Sequence, residues 1–288
     1  MIRRLRYNEI DFRKYTACLE QSEQYNGYAR KETLDQLSGN WHILVYNDYE
    51  AVMPVNIVKK FGLNFVHMPL FCQQLGVFSK QDDPQINDLF LHFLKKKYLL
   101  FLYTFNHHNV FSIPLEVRKN YIIPVSDYSI LKRKKYFKGR KSTVKWSQHL
   151  IYREVYPDAD CFSFIENHFK GLSKEKDLKI FKSYFDFLAN HHQLKLCGAY
   201  LEDRLINLAV LISEPDQLSL LALVNDETSK KEDGASFVID KILENNIGEK
   251  KFNFMGSNIR GIEVFFKSFG GELNAYPFIE NKLMKKFS

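Results

Sequence analysis

The sequence lacks any apolar run long enough to span a membrane. Its strongest apolar stretch, residues 98–105, has the length of a β-strand, whereas a spanning helix needs about 20 consecutive apolar residues. Residues 1–6 are basic and lead directly into the polar segment 8–11, with no apolar core between them, so they do not have the pattern of a secretory signal. We therefore expect a cytoplasmic protein with no transmembrane segment.

Cysteine is scarce and never clustered. Cys18, Cys72, Cys161 and Cys197 lie far apart without a Cys-x-x-Cys pair, and the nine histidines include no His-x-x-x-His. Zinc sites are built from such spacings, so we predict that the protein binds no metal. Because the secretory signal is missing, we expect the thiols to be reduced, and packing in the core is the expected role of each.

Several motifs of nucleotide and ester chemistry are also missing. The sequence has no Gly-x-x-x-x-Gly-Lys loop, no dinucleotide-binding glycine fingerprint and no Gly-x-Ser-x-Gly elbow. What is present is a chain of 288 residues, 45% apolar and 26% charged. This balance is typical of a folded protein with room for two domains.

Positive charge is concentrated in one segment. The formal net charge is +7, and the segment contains Lys132, Arg133, Lys134, Lys135, Lys138, Arg140, Lys141 and Lys145. Such a cluster attracts phosphate-bearing partners such as nucleic acid, coenzyme A or anionic lipid. A solvated linker face is the more ordinary interpretation of a run of charges.

The C-terminal half shows the clearer pattern of secondary structure, in which short turns separate apolar runs. Its predicted elements are strands at 194–201, 205–213 and 218–224, a helix at 237–243 entered through 234–236, a strand at 251–255, a helix at 260–268 and a strand at 272–279. The pair Gly270-Gly271 ends the second helix. Residues 194–279 therefore form one predicted α/β unit.

The N-terminal half repeats this order in part. Its predicted elements are helices at 11–24 and 31–37, strands at 41–46, 51–58 and 65–78, a helix at 84–97 and a strand at 98–105. In each half, 57 residues separate the first strand of the meander from the strand that follows the helix, from Trp41 to Tyr98 and from Leu194 to Lys251. The matching order and spacing indicate a duplication.

The two halves are joined by a predominantly helical connection. Its predicted elements are helices at 130–149, 162–168 and 174–190, with a short strand at 151–155. We therefore predict an N-terminal domain at 1–128, a basic helical linker at 129–150 and a C-terminal domain at 151–288.

One junction in the C-terminal half has a phosphate-binding pattern. Lys231-x-x-Gly234-x-Ser236 precedes a helix, where unpaired N–H groups and the positive end of the helix dipole suit a pyrophosphate. The segment resembles the Arg/Gln-x-x-Gly-x-Gly/Ala loop of the GNAT superfamily, which binds the pyrophosphate of acyl-coenzyme A. This resemblance implies that Lys231, Gly234, Ala235 and Ser236 bind an acyl-coenzyme A donor. A plain capped helix start is the alternative.

The segments around this junction resemble a narrower group. Phe252–Ser257 (FNFMGS), Gly261 and Phe265–Gly270 (FFKSFG) are similar to a strand, turn and helix of Fem-type transferases. Gln73-Gln-Leu-Gly76 and the basic linker also resemble parts of that group. The resemblance implies an α+β fold with two tandem GNAT-like domains, each a mixed, largely antiparallel sheet flanked by helices, and a site in or near the cleft between them.

Acyl transfer to an amine needs a base for the amine proton and donors for the oxyanion. Asp226 and Glu227, at the end of the third strand of the C-terminal half, are the candidate bases, with ordinary turn acids as the alternative. The position where the resembled enzymes often have a proton-donating tyrosine holds Phe266. Tyr276 is therefore the candidate acid, although a half-buried strand tyrosine is commonly structural.

Other polar residues are candidates for contact with the acceptor. They follow strands or turns of both halves and comprise Gln73, Gln74, Asn106, His107, Gly256 and Ser257. Ser257 is as well placed to cap the helix that follows. His107 or His108 is also a candidate second base, but adjacent residues at the end of a strand point to opposite sides.

The resemblance implies an N-acyltransferase that moves an acyl group from acyl-coenzyme A to an amine, with a sugar, lipid or peptide precursor of the cell envelope as acceptor. One alternative is an aminoacyl-tRNA-dependent transferase, in which the Lys132–Lys145 helix contacts the tRNA. Another is a non-catalytic binding protein with the same fold.

Overall fold

The structure is a computed structural model that describes residues 1–60, 62–172, 174–256 and 258–281. The chain divides into two compact units. The first contains residues 1–118 and the described residues from 275 onward, and the second contains residues 119–274. The first unit is therefore built from both ends of the chain.

The β-strands are short except in the two meanders. In chain order they are β1 (Ile2–Arg6), β2 (Trp41–Tyr46), β3 (Ala51–Lys60), β4 (Leu63–Val66), β5 (Phe78–Ser79), β6 (Leu99–Leu100), β7 (Leu102–Thr104), β8 (Glu116–Arg118), β9 (Tyr121–Ile123), β10 (Ile151–Glu154), β11 (Leu194–Leu201), β12 (Arg204–Ser213), β13 (Gln217–Asn225), β14 (Lys251–Asn253), β15 (Glu272–Leu273) and β16 (Tyr276–Glu280).

The α-helices connect these strands. In chain order they are α1 (Phe12–Glu20), α2 (Lys31–Leu37), α3 (Pro84–Lys97), α4 (Tyr128–Lys134), α5 (Lys138–Trp146), α6 (Ala159–His168), α7 (Glu175–Asn190), α8 (Gly234–Asn246) and α9 (Arg260–Ser268). No helix in the described ranges has both the length and the apolar character that a bilayer-spanning helix needs.

Aspartates start several of these helices. The side chain of Asp83 accepts hydrogen bonds from the N–H groups of Gln85 and Ile86, and Pro84 occupies the first helical position of α3. A carboxylate in this place satisfies N–H groups that have no partner inside the helix, and proline needs none there. Asp11, Asp127 and Asp158 cap α1, α4 and α6 in the same way.

The second unit is built on one mixed sheet with the strand order β10-β11-β12-β13-β14-β9-β15. The meander β11-β12-β13 is antiparallel, and β13 then pairs with β14 in parallel. Helix α8 packs on the meander and buries Phe237, Val238 and Ile242 in the core of the unit. A parallel pair needs a crossover, and α8 supplies it between β13 and β14.

The first unit contains two sheets. The larger has the order β1-β2-β3-β4-β6, with β5 on the far end of β3, and the smaller has the order β7-β16-β8. Trp41, Phe78 and Phe90 are almost completely buried in this unit. The α+β class and the mixed, largely antiparallel sheets expected from the sequence are confirmed.

The last strand of the chain corrects the prediction that residues 194–279 form one unit. The predicted strand 272–279 is two strands, of which β15 pairs with β9 in the second unit. The other, β16, pairs with β7 and β8 of the first unit, with Phe278 opposite both Thr104 and Glu116. Its hydrogen-bonding partners, and not its position in the chain, decide its unit.

The segment from 129 to 150 also differs from an independent linker. Helices α4 and α5 belong to the second unit, and Lys132 of α4 forms an ion pair of 3.1 Å with the buried Asp240 of α8. β9 pairs with β14 in the same unit. These contacts place the observed boundaries after residues 118 and 274, in place of the predicted boundaries after 128 and 150.

The predicted strand 65–78 is interrupted. β4 ends at Val66 and β5 begins at Phe78, with no regular secondary structure between them. Gly76 has a positive φ of +107° in this stretch, which breaks the extended backbone of a strand.

Candidate functional site

The parallel strands β13 and β14 pair over a short distance only. Gln217 lies opposite Lys251 and Ser219 opposite Asn253, where the ladder ends, although β13 continues to Asn225. Residues 220–225 therefore have no ladder partner on the β14 side in the described part of the chain. Unpaired strand amides of this kind are suited to stabilise an oxyanion.

Asp226, directly after β13, is fully engaged in local structure. Its carboxylate forms an ion pair of 2.5 Å with Arg204 and accepts hydrogen bonds from the hydroxyls of Thr228 and Ser229 and from the N–H of Thr228. These hydrogen bonds, led by the Thr228 hydroxyl, hold the pKa of Asp226 well below its usual value. The carboxylate caps the 3₁₀ helix Glu227–Glu232, and its low basicity makes it a weak proton acceptor.

Glu227 and Lys231 lie on the exposed side of this 3₁₀ helix. The carboxylate of Glu227 is 3.2 Å from the ammonium group of Lys170. This ion pair is solvent-exposed, so it contributes little to stability and leaves the Glu227 carboxylate accessible.

The first turn of α8 lies against the meander. Asp233, at the N-cap, has left-handed backbone angles and no side-chain capping bond. Gly234 is buried, and a β-carbon there would lie 3.0 Å from Cβ of Asn207 on β12. Ala235 is partly exposed and Ser236 is buried. The close approach to β12 explains the glycine, and the N–H groups of Gly234 and Ala235 have no carbonyl partner within the helix.

Arg140 of α5 reaches this helix start. Its guanidinium donates hydrogen bonds to the hydroxyl of Ser236 and, at 2.9 Å, to that of Ser268 at the end of α9. It also lies 4.5 Å and 4.6 Å from the ring centroids of Phe265 and Phe269. These contacts hold the side chain between α8 and α9.

The guanidinium of Arg140 is in no ion pair among the described residues. Burial lowers the pKa of the guanidinium, and the carboxylate of Asp233 at the N-cap of α8 acts on it in the opposite direction. The group nevertheless stays protonated because arginine is such a strong base. A partly buried cation at the positive end of a helix dipole therefore has no carboxylate in direct contact, and Asp233 compensates its charge only from a longer distance.

The turn between β14 and α9 contains the predicted residue Gly256. Met255 and Gly256 both have positive φ angles, and the N–H of Gly256 donates to the side-chain oxygen of Asn120 at 2.9 Å. The side-chain amide nitrogen of Asn120 is buried without a hydrogen-bond partner in the described structure. Ser257, the other residue predicted here, lies outside the described residues.

The two aromatic positions considered for the proton donor lie in different units. Phe266 of α9 is buried in the second unit and stacks on Phe254 with a centroid separation of 4.3 Å. Tyr276 begins β16 in the first unit and is 6% exposed. Burial raises the pKa of its phenol, so Tyr276 is protonated at neutral pH.

The residues predicted in the first unit lie close together. The side-chain oxygen of Gln74 accepts a hydrogen bond of 2.9 Å from the N–H of His107, and the Thr104 hydroxyl donates to the carbonyl of Gln73. The amide nitrogen of Gln73 is buried without a hydrogen-bond partner in the described structure, whereas the ring of His107 is exposed.

An amide network holds this cluster in place. Asn106 donates to the carbonyl of Gln24 at 2.6 Å. Asn109 bonds both backbone groups of Val77, at 3.0 Å and 2.9 Å. Gly76 packs so closely against the backbone at 105–106 that a β-carbon would lie 2.6 Å from the nitrogen of Asn106. Asn106 is thus a buried structural member of the cluster. The side-chain amide nitrogen of Gln73 is the unpaired group among the described residues of the cluster, and His107 contributes an exposed ring.

Sequence reasoning missed the separate role of Arg140, which it treated only as part of a basic run. A signal was available, because Arg140 and Val144 are four residues apart on the same face of a helix and Val144 is apolar. It also missed Asn109, whose distance along the chain from Val77 leaves no local pattern.

Comparison with known proteins adds the fold class. No protein-family model matches the sequence, and no curated protein matches it. The structure resembles that of FemX, with a TM-score of 0.62, 10% identity and coverage of 99% of each chain. It also resembles a tandem GNAT protein from the clavulanic acid biosynthesis pathway, with a TM-score of 0.58, 8% identity and coverage of 96% of this chain and 97% of that one.

A third similar structure is the C-terminal domain of a putative lysylphosphatidylglycerol synthetase from Agrobacterium fabrum. Its TM-score is 0.54 at 10% identity, with coverage of 96% of this chain and 93% of that domain. The chain therefore has the tandem GNAT-like fold. Within that class its architecture is Fem-like, so the fold expected from the sequence resemblance is confirmed.

Proposed function

We propose that this protein transfers an acyl group from acyl-coenzyme A to an amine, with the donor's pyrophosphate at the first turn of α8. The observation that carries the proposal is the guanidinium of Arg140, which lies at this helix start with no carboxylate in ion-pair contact among the described residues. An anionic ligand would supply a counter-ion in direct contact, and the N–H groups of Gly234 and Ala235 would share it. Lys231, exposed one turn earlier, adds positive charge.

The proposed oxyanion donors and the proposed base belong to the same unit as this helix start, whereas the proposed proton donor belongs to the first unit. Within residues 220–225, the amides that face away from β12, beyond the end of the β13–β14 ladder, suit the oxyanion of a thioester carbonyl. Glu227 is the proposed base, because its carboxylate is exposed and only loosely paired. Asp226 is the weaker candidate of the two, since its hydrogen bonds keep it ionised and poorly basic. Tyr276 remains the proposed proton donor to the leaving thiolate.

The acceptor is proposed to contact the first unit through Gln73 and His107. The buried, unpartnered amide of Gln73 is a donor for an acceptor oxygen. Gln74 and Asn106 position this cluster. Gly256 and Ser257 stay predicted contacts in the second unit. One similar structure carries the name of a lysylphosphatidylglycerol synthetase, and this supports an amine or lipid headgroup of the cell envelope as the acceptor class.

Calorimetric titration with coenzyme A and acetyl-coenzyme A tests the donor. We expect saturable binding and a rise in melting temperature, and pantetheine, which lacks the pyrophosphate, should bind more weakly. Arg140→Gln should weaken binding of coenzyme A by roughly ten- to a hundredfold, because a hydrogen bond to a charged group contributes about 1.5–3 kcal/mol. Lys141→Gln is the matched control, since it removes the same charge from the adjacent position.

A protein that shows neither heat nor a thermal shift at millimolar coenzyme A or acetyl-coenzyme A would overturn the proposal. Binding of tRNA in its place would indicate an aminoacyl-tRNA donor. If coenzyme A binds, release of its free thiol in the presence of amines tests turnover. Glu227→Gln should then lower kcat, and Gln73→Ala should raise the KM of the acceptor without changing the affinity for coenzyme A.

A further inference from the structure

Helix α5 has two faces of opposite character. Arg140 and Val144 point into the second unit, where Val144 is buried and Arg140 contacts α8 and α9. The backbone N–H of Phe137, just before α5, donates to the carbonyl of Ser268 at 3.0 Å. Lys138, Lys145 and Trp146 lie on the outward face. Helix α5 therefore packs against the second unit along one side and exposes its other side to solvent.

Two aromatic side chains on this helix are exposed. The side chain of Trp146 is 80% exposed at the C-terminal end of α5, and that of Phe137 is 51% exposed at its N-cap. The only other tryptophan of the chain, Trp41, is 1% exposed. An exposed tryptophan leaves a large apolar area in water, and so it indicates a surface that is covered in use.

The charged residues of the chain segment that carries these rings are all basic. From Tyr128 to His149 the sequence contains no acidic residue. Lys132 and Lys135 form ion pairs with Asp240 and Glu272. The remaining cations of the exposed side have no carboxylate within 4.0 Å among the described residues, and they are Arg133, Lys134, Lys138 and Lys145.

We propose that this α5 surface, defined by Phe137, Lys138, Lys145 and Trp146 with the adjacent Arg133 and Lys134, docks on an anionic phospholipid membrane. Tryptophan and phenylalanine insert at the boundary between headgroups and acyl chains, and lysines beside them bind anionic headgroups. The arrangement of two aromatic ends framing a row of lysines matches that geometry.

The side chains favour lipid over nucleic acid as the occupant. Arginine is the residue whose planar fork suits phosphate and base recognition. The single arginine of α5, Arg140, points inward, so Arg133 is the one arginine of the proposed surface and lysines make up the rest of its charge. Lysine is a flexible point charge that suits headgroups. Phe137 and Trp146 lie at opposite ends of a helix roughly 13 Å long, so they are too far apart to stack on adjacent bases.

The two tryptophans make the test direct, because one is exposed and the other is buried. The full chain is titrated with vesicles of phosphatidylcholine containing 30–40% phosphatidylglycerol (about the anionic content needed for electrostatic binding) and with pure phosphatidylcholine vesicles. We expect a blue shift of Trp146 emission and protection from iodide quenching with the anionic vesicles, together with co-sedimentation. Pure phosphatidylcholine should bind far more weakly.

Variants assign the binding to the α5 surface. Lys138→Gln/Lys145→Gln should weaken binding to anionic vesicles roughly thirtyfold, about fivefold for each lysine. Trp146→Ala should weaken it roughly tenfold and abolish the blue shift, leaving only the emission of Trp41. The matched control is Lys95→Gln/Lys96→Gln at the exposed end of α3, which removes the same charge and should leave binding unchanged. Circular dichroism melts confirm that each variant is folded.

The proposal is overturned if anionic vesicles do not bind, or if Trp146→Ala and the Lys138/Lys145 variant bind as tightly as the unaltered protein. Bulk tRNA is tested in parallel. If tRNA protects Trp146 from quenching and the vesicles do not, the surface is a nucleic-acid site and the lipid proposal fails. These readouts do not require coenzyme A, so the outcome is independent of the proposed transfer reaction.

Discussion

The guanidinium of Arg140 donates a hydrogen bond to the hydroxyl of Ser236 and so joins α5 to the first turn of α8. The same guanidinium bonds Ser268 and packs against the adjoining rings of Phe265 and Phe269 at the end of α9. Arg140 lies in the predicted linker 129–150, and its side chain fills the space between α8 and α9 of the second unit. It is at once a structural clamp and the proposed partner of a phosphate.

The contacts of Arg140 should contribute measurably to the free energy of unfolding. Arg140→Gln removes two cation–π contacts and at least one charged hydrogen bond, and we expect the free energy of unfolding to fall by about 1–3 kcal/mol. Urea denaturation followed by circular dichroism measures the change. Lys141→Gln should stay within about 0.5 kcal/mol of the unaltered protein. Equal losses in both variants would show that the contacts of Arg140 add nothing.

Gly76 should tolerate no side chain. Its φ is +107°, and a β-carbon would lie 2.6 Å from the backbone nitrogen of Asn106, so Gly76→Ala should destabilise the protein by about 2–4 kcal/mol. Two other glycines separate the effect of the positive φ from the effect of close packing. Gly62 has a positive φ and Gly39 does not, and neither has an atom within 4 Å of the added carbon.

In the same denaturation experiment, Gly62→Ala should cost about 1 kcal/mol from backbone strain alone, and Gly39→Ala less than about 0.5 kcal/mol. If Gly76→Ala costs no more than Gly62→Ala, the close packing against residues 105–106 is not what requires glycine at 76.

Glu263 should make stability depend on pH in the acid range. Lys119 and Lys267 bind its carboxylate at 2.8 Å and 2.6 Å, and the Tyr121 hydroxyl donates to it at 2.8 Å. These bonds, led by that of Lys119, lower the pKa of Glu263 to about 2. A carboxyl with a lowered pKa stabilises the fold above its ordinary value of 4.5, and this contribution is lost as the pH falls toward 2.

Glu263→Gln should therefore flatten the dependence of the free energy of unfolding on pH between about 4.5 and 2, as followed by urea titrations at successive pH values. Glu249→Gln, at an exposed position, serves as the comparison and should retain the full slope. An unchanged slope in Glu263→Gln would show that these three bonds do not act on the folded state in solution.

The four thiols should be unreactive while the protein is folded. Burial raises the pKa of Cys18 and Cys197 to about 11 and that of Cys161 to about 12, and it raises the pKa of Cys72 further still. Only the thiolate attacks, so alkylation by iodoacetamide at pH 8 should be at least about a hundredfold slower than in the unfolded chain. Mass spectrometry with peptide mapping measures each site, and rapid labelling of any one would identify a reactive cysteine.

Local sequence signals were sufficient where an element and its cap are contiguous. Asp83 and Pro84 mark the start of α3, and the structure places that helix at Pro84–Lys97, as predicted. The meander of β11, β12 and β13 was predicted to within a few residues for the same reason, since turn residues interrupt long apolar runs. Each such signal acts over a few residues and needs no knowledge of distant partners.

The same local signals did not predict the shortest strands. β8 and β9 have three residues each, too few for an alternating pattern to be recognised. They form because neighbouring strands offer unpaired backbone groups, and a buried backbone group without a partner is costly. The same cause divides the predicted strand 272–279 between two sheets.

Of the candidate site residues, the sequence indicated Gly234, Ser236, Gln73, Gln74 and His107 through short motifs. It could not indicate which groups are already engaged. The ion pair of Asp226 with Arg204 and the placement of Arg140 at the start of α8 exist only when residues distant in the chain are brought together. Their roles remain proposals to be measured.

The sequence by itself predicted most of the longer elements, because hydrophobic periodicity and turn residues act over short distances, and its resemblance to Fem-type transferases implied the tandem GNAT-like fold. Only the tertiary structure decided that β16 belongs to the first unit, that α5 belongs to the second, and that α5 leaves Trp146 in solvent. These outcomes depend on which partners complete each hydrogen bond and cover each apolar face. The strand partners of β16 lie more than a hundred residues away along the chain, and the partners of Arg140, Ser268 and Ser236, lie 128 and 96 residues away.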